Sequence, residues 1–285
     1  KIIVNMKQRK SLELYPLTMC YFIKRTQKYT KLFFNHYINY KNMITSLMAL
    51  THGEISLKEF YKHAPIIIPF APVHFGKTCL LYRLIYYFQN KGYSVKCEEY
   101  MRSIYSPCSP CSTAIPIQGK ILWQGHIMAQ FVDFPGEFLY NTNHPKTPSA
   151  LNEIIESPNK KIWLFMLELN GLGGQIERDN YSERIMEVAA HISPNDKIII
   201  VVNKIDMCSM DLNSIVQALY LQYPAVLNCF KNQNPVTKLW RPFNCDIVSF
   251  SAGDFCRTCD NKEMFRPGLD TYPKQLWKAI CKGLH

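Results

Sequence analysis

The chain has 285 residues, is 47% hydrophobic and carries a formal net charge of +11, so it holds enough apolar material for a sizeable core and too much for general disorder. Its longest uncharged apolar stretches, such as "APIIIPFAPV" and "WLFML", fall well short of the ~20 residues that span a bilayer, and the N-terminus lacks the apolar segment of a signal peptide; a soluble, cytoplasmic protein is expected. Eleven cysteines in a chain of this size do not make a small secreted disulfide scaffold, and reduced thiols are the expectation.

The charge is uneven. Residues 1–64 hold 11 Lys/Arg against 3 Asp/Glu, which leaves a net +3 for the remaining 221 residues. This stretch, with "YFIKRTQKYTKLFFNHYINYKN" at its centre, reads as a basic, aromatic-rich N-terminal extension. Its Lys and Tyr residues suit contact with nucleic acid or an anionic membrane surface, or simply a solvated or partner-covered appendage. Ser56 and Glu59 form a capping-box pair that opens a short helix, which Pro65 stops.

From Pro65 to His285 short apolar runs alternate with amphipathic ones. "PIIIPF" (65–70), "AQFVDF" (129–134), "KIWLFML" (161–167), "KIIIVVN" (197–203) and "CDIVSF" (245–250) are predicted strands. They are apolar without alternation, as strands covered on both faces should be. "KTCLLYRLIYYFQN", "SERIMEVAAHI", "LNSIVQALYLQY" and "YPKQLWKAICKGL" space their apolar residues at helical intervals. The expectation is a three-layer α/β domain with a mostly parallel sheet between helices. "SPCSPCSTAIP" (106–116) and "NTNHPKTPS" (141–149) read as loops. Pro69, inside a central strand, removes a ladder donor and predicts a bulge or an early end.

Four segments carry the chemistry. "APVHFGKTC" (71–79) is either a phosphate cradle or a loop ahead of a core helix. As a cradle, the amides of His74, Phe75, Gly76 and Cys79 wrap phosphates, Lys77 reaches the terminal ones and the Thr78 hydroxyl binds Mg²⁺. Fifty-five residues after Thr78, "FVDFPGEF" ends a strand in Asp133, with Gly136 and Glu137 following. A carboxylate there holds the Mg²⁺ hydration shell, and Gly136 offers its N–H to a γ-phosphate; otherwise the segment is a plain Pro-Gly turn. "NKID" (203–206) places Asn203, Lys204 and Asp206 at a strand end. There a base rests on the Lys stem and Asp206 accepts hydrogen bonds from guanine N1 and N2, a donor pair that adenine lacks; in an ATP-using protein it would be only a turn. Ser251 and Ala252, after the last strand, supply a backbone N–H for guanine O6.

A-x-x-x-x-G-K-T, D-F-P-G, N-K-I-D and S-A occur in that order over residues 65–285, and the segment resembles the TRAFAC-class P-loop GTPases of Ras-like fold. The resemblance implies GTP and GDP, Mg²⁺, a nucleotide switch with slow hydrolysis, effector or regulatory proteins, and a switch threonine on Mg²⁺. Thr113 in "CSTAIPIQGKI", 20 residues before Asp133, is the candidate, with Ser112 its competitor. The D-x-P-G-E pattern and the inserts are also similar to the GTPases of bacterial conflict systems called double-GTPases.

The pattern departs from the family at two site positions. Ala71 replaces the first glycine of the cradle, and Glu137 stands where family members place glutamine or histidine. A negative charge beside the γ-phosphate raises the barrier to hydrolysis, so turnover is expected to be very slow. Either Glu137 takes the proton of the attacking water, or it faces solvent and a partner brings the catalytic group. The alternative to an enzyme is a nucleotide-bound scaffold. Finally, Cys108-x-x-Cys111 and Cys256-x-x-Cys259 have zinc-ligand spacing, but the 144 residues between the pairs exceed what zinc ribbons use, so coincidence is the competing reading.

Overall fold

The computed structural model describes residues 60–72, 74–97, 117–134, 147–169, 174–208, 210–257 and 263–284, all within the compact unit Glu54–His285. The basic extension up to residue 59 and the pair Ser56 and Glu59 lie outside them.

A seven-stranded sheet in the order β2-β3-β4-β1-β5-β6-β7 forms the middle layer. Its strands are β1 (Ile66–Phe70), β2 (Ser94–Cys97), β3 (Ile117–Trp123), β4 (His126–Asp133), β5 (Lys161–Glu168), β6 (Lys197–Asn203) and β7 (Asp246–Ser249). Neighbours from β4 through β1, β5 and β6 to β7 pair parallel, while β2, β3 and β4 pair antiparallel. The sequence expectation of a mostly parallel sheet holds at all five predicted strands, within a few residues. β2 and β3 had no apolar run to announce them: β3 alternates buried and half-buried residues and β2 alternates exposed and half-buried ones, as strands near a sheet edge do. A separate hairpin, β8 (Gly253–Arg257) with β9 (Glu263–Pro267), follows the main sheet.

Because successive side chains of a strand point to opposite faces, each central strand feeds two cores. Ile66, Ile68 and Phe70 of β1 join Trp163, Phe165 and Leu167 of β5 under α2 (Thr147–Glu156), α3 (Gln175–Ala189), α4 (Leu212–Gln222) and α5 (Pro224–Cys229). Ile67, Ile162, Leu164 and Met166 face the other way, against α1 (Lys77–Asn90) and α6 (Thr271–Cys281). This is the expected three-layer arrangement. Among the described residues no helix is long and apolar enough to cross a membrane.

Two expectations are corrected. The segment 141–149 is not all loop, because α2 begins at Thr147, with Pro148 in its first turn, where a missing N–H costs nothing. Pro69 makes no bulge: β1 stays in register with β5 from Ile66 to Phe70, whereas its pairing with β4 ends at Ile67. The ladder with β4 has already stopped where Pro69 would be asked for a donor.

The chain entering β1 is tied to the domain. Tyr61 N donates to Gln130 Oε1 at 2.7 Å, and Gln130 Nε2 and Asn159 Nδ2 both donate to the carbonyls of Tyr61 and Ala64.

Gly119 of β3 lies opposite Phe131 of β4, and a Cβ on it would sit 2.1 Å from the Phe131 ring. Gly119→Ala is therefore expected to cost about 1 to 3 kcal/mol through overpacking, read as a lower urea midpoint with unchanged slope.

Candidate functional site

The predicted site residues that the structure describes stand at or just beyond the carboxyl ends of β1, β4, β6 and β7, where open parallel sheets generally place their sites. β1 delivers the chain into a tight loop. Ala71 is fully buried and has no left-handed backbone; the positive φ that a glycine would ease falls instead on His74 (67°) and Gly76 (77°). Gly76 begins α1 without a side-chain cap, and the first-turn amides of a helix have no partners within it. The Lys77 ammonium is folded back onto the loop, donating to Ala71 O at 2.8 Å and Pro72 O at 3.0 Å. Thr78 Oγ1 donates to Asp133 Oδ2 at 3.2 Å, which brings the first turn of α1 to the end of β4. Cys79 is half-buried in that same turn.

The carboxyl end of β6 is joined to this loop directly. Asn203, last residue of β6 and 5% exposed, donates from Nδ2 to Phe75 O at 2.8 Å. A Cβ on Gly76 would stand 2.9 Å from that same Nδ2, so the glycine is required twice over, for its angle and for its empty side. Lys204, itself left-handed (φ 56°), donates from Nζ to His74 O at 3.1 Å. Asp206 follows in a 3-10 turn, Ile205–Met207, and is exposed. That turn is bonded to the segment after β7, Ile205 N to Phe250 O at 3.2 Å and Phe250 N to Val202 O at 2.8 Å. Ser251 is 3% exposed, its Oγ accepting from Gly253 N at 3.3 Å, and Ala252 is half-buried.

Glu168, at the end of β5, was not foreseen. Its buried carboxylate lies 2.8 Å from the Lys204 ammonium. Burial is the largest influence on this carboxyl and raises it above its ordinary 4.5, against the opposing pull of Lys204. Two buried tyrosines finish the strand ends: Tyr181 OH lies 2.6 Å from Phe70 O and 3.0 Å from Met166 O, and Tyr223 OH donates to Glu168 O at 3.0 Å. Burial pushes the Tyr223 hydroxyl up to about 12. One sign was in the sequence, since Glu168 is the first acidic residue after the apolar run "IWLFML".

Thr113, Gly136, Glu137, Cys108, Cys111 and Cys259 lie outside the described residues, as do Val73 and the side chain of Cys256, whose backbone belongs to β8. Among the described residues no group of three or more His, Cys, Asp or Glu could hold a metal ion. Thr78 and Asp133 nevertheless fit a hard cation, because a hydroxyl and a carboxylate are the oxygen donors Mg²⁺ prefers.

Two outcomes are expected. A β-branched residue at His74 must take the same left-handed backbone, so His74→Val should lose about 1 to 2 kcal/mol of stability and His74→Gly none; thermal unfolding of the two variants decides. For Glu168, a folded-state pKa above 4.5 means that stability falls as pH rises from that value through the folded one. Lys204→Met removes the opposing cation, which deepens that fall. Denaturation at pH 4 and pH 7.5 should show the variant's loss mainly at pH 7.5, and an equal loss at both would contradict this.

No protein-family model and no curated protein matches the chain. Among solved structures it is similar to a nucleolar GTP-binding protein 1 of Plasmodium falciparum (16% identity, 80% of this chain and 90% of that one, TM-score 0.45). It is also similar to the signal recognition particle receptor SRb, in a GTP complex with SRX from Chaetomium thermophilum (15%, 76% and 99%, 0.46). A third is a structure of the chloroplast translocon components atToc33 and psToc159 (11%, 78% and 84%, 0.48). At such identities and scores these likenesses carry no weight for function. The chain's own topology is a three-layer α/β architecture, with a mostly parallel seven-stranded sheet between two layers of helices.

Proposed function

We propose that this chain binds GTP and GDP with Mg²⁺ and works as a molecular switch with slow GTP hydrolysis. The observation that supports it most is the clasp between Asn203 Nδ2 and Phe75 O at 2.8 Å. It fastens an Asn-Lys-x-Asp segment onto a phosphate-type loop, an arrangement that a mere polar turn has no reason to make.

In this reading Lys77 exchanges its loop carbonyls for phosphate oxygens, a stronger, charge-assisted partner. Thr78 and Asp133, already in hydrogen-bond contact, would hold Mg²⁺, which neutralises phosphate charge when bound. Asp206 accepts from guanine N1 and N2, and the N–H of Ala252 donates to O6. Thr113 and Gly136 are the proposed γ-phosphate sensors, and Glu137 is the proposed acceptor of the water proton. Effector or regulatory proteins would read the bound state.

Equilibrium titration with fluorescent GDP, ADP and XDP in Mg²⁺ tests this reading. The wild type should prefer GDP over ADP by at least about 100-fold, since a base lying over Asp206 shields its carboxylate from water and adenine offers it no pair of donors in return. Asp206→Asn should shift preference to XDP, which carries an oxygen where guanine has its amino donor. Comparable ADP binding, or none of either, would overturn the proposal. A single-turnover GTP assay on Glu137→Ala then separates the two uses of the site: a fall from a measurable wild-type rate marks an enzyme, and negligible turnover in both marks a nucleotide-held scaffold.

A further inference from the structure

The helix that starts at the phosphate loop also carries a buried cation that no part of the site just described uses. Arg83, six residues after Lys77 on α1, is 0% exposed. Its Nη2 donates to Gly268 O at 2.8 Å and to Asp270 Oδ1 at 2.7 Å, while its Nε and Nη1 have no hydrogen-bond partner among the described residues. The Asp270 side chain is 60% exposed. A guanidinium taken wholly out of water for one solvent-screened carboxylate is a poor source of stability, and apolar replacement of such a pair is often neutral or stabilising. Arg83 is better explained by what it holds in place.

What it holds is the segment that backs the proposed base-reading loop. Gly268 lies just beyond β9, and its N–H points to Ala252 O at 3.5 Å. Gly253, next to Ala252, is pressed so closely against this segment that a Cβ would stand 2.3 Å from Arg266 O and from Gly268 N. Gly253 also keeps a left-handed φ of 96°, and its N–H is taken by Ser251 Oγ at 3.3 Å. Residues 251–253 are therefore wedged between the end of β7 and the 266–268 strand end, and the Gly268 carbonyl is fixed from the opposite side by Arg83.

We infer that Arg83 is a positioning residue for base selection: through Gly268 it sets where the Ala252 amide stands. This rests on the guanine-nucleotide reading proposed above. Because Lys77 and Arg83 share one helix, α1 fixes the phosphate loop and the loop that reads the 6-position of the base relative to each other. The sequence held a trace of this, since Arg83 is the one charge in the otherwise uncharged run "CLLYRLIYYF" and falls in helical register with the buried Leu80, Leu84 and Tyr87.

Three diphosphates distinguish this role from general support of the fold. 6-Thio-GDP keeps N1–H and the 2-amino group and replaces only O6 with sulfur, a weaker acceptor, so GDP against it reads Ala252. IDP keeps O6 and lacks the 2-amino group, so GDP against IDP reads Asp206. In Arg83→Met the first preference should fall about tenfold, the worth of one misplaced hydrogen bond, with the second unchanged. Asp270→Ala, at an exposed carboxylate, loosens the same anchor without opening the core. It should lower the first preference by a smaller factor and also spare the second, and it carries the test if Arg83→Met does not fold. Equal falls in both preferences, or no change in either, would overturn the inference. A wild type that prefers GDP over neither analogue would instead overturn the reading on which it rests.

Discussion

The structure turns on one amide. Asn203 at the end of β6 reaches across the mouth of the sheet and binds the Phe75 carbonyl inside the β1–α1 loop. Without that bond the loop 71–76 would have to hold two left-handed residues, His74 and Gly76, on its own. A left-handed non-glycine residue costs roughly 1 to 2 kcal/mol, so a surrounding contact must over-determine it. The side-chain amide does so, with the Lys204 ammonium on the adjacent carbonyl as a second hold.

The rest of the site is arranged around this bond. Lys204 needs a counter-charge in a half-buried place, and Glu168 supplies it from β5. Tyr181 and Tyr223 donate to carbonyls near the carboxyl ends of β1 and β5, so these buried backbone groups are satisfied. On the opposite face α1 carries Lys77 at its start and Arg83 a turn and a half later, the first on the β1–α1 loop and the second on the Gly268 carbonyl just beyond β9. A ligand lying across the sheet edge would thus meet groups positioned from both cores.

Much of this could be read in the sequence, for a physical reason. β1, β5 and β6 are covered on both faces, so their burial is written as unbroken apolar runs, and the polar residues that end them, Asn203 above all, announce the site. β2 and β3 lie toward an edge and their alternating, partly polar residues carry no such run. The β8–β9 hairpin is built from residues such as Arg257, Glu263 and Arg266, which make no apolar run. Pro69 misled because a missing donor matters only where a ladder continues, and here the pairing with β4 stops short of it. Glu168 and Arg83 were hidden for the opposite reason. A single buried charge within an apolar run acquires meaning only when its partner, Lys204 or Asp270, arrives from far along the chain.

The most direct measurement is calorimetric binding of GDP, inorganic pyrophosphate and guanosine in Mg²⁺ to the wild type and to Asn203→Ala. If the clasp joins a phosphate site to a base site, GDP should bind the wild type far more tightly than either half. Asn203→Ala should then lose at least tenfold in GDP affinity, the worth of one buried hydrogen bond, with a smaller loss for pyrophosphate and guanosine alone. Unchanged GDP affinity in the variant, or the absence of GDP binding to the wild type, would contradict the account.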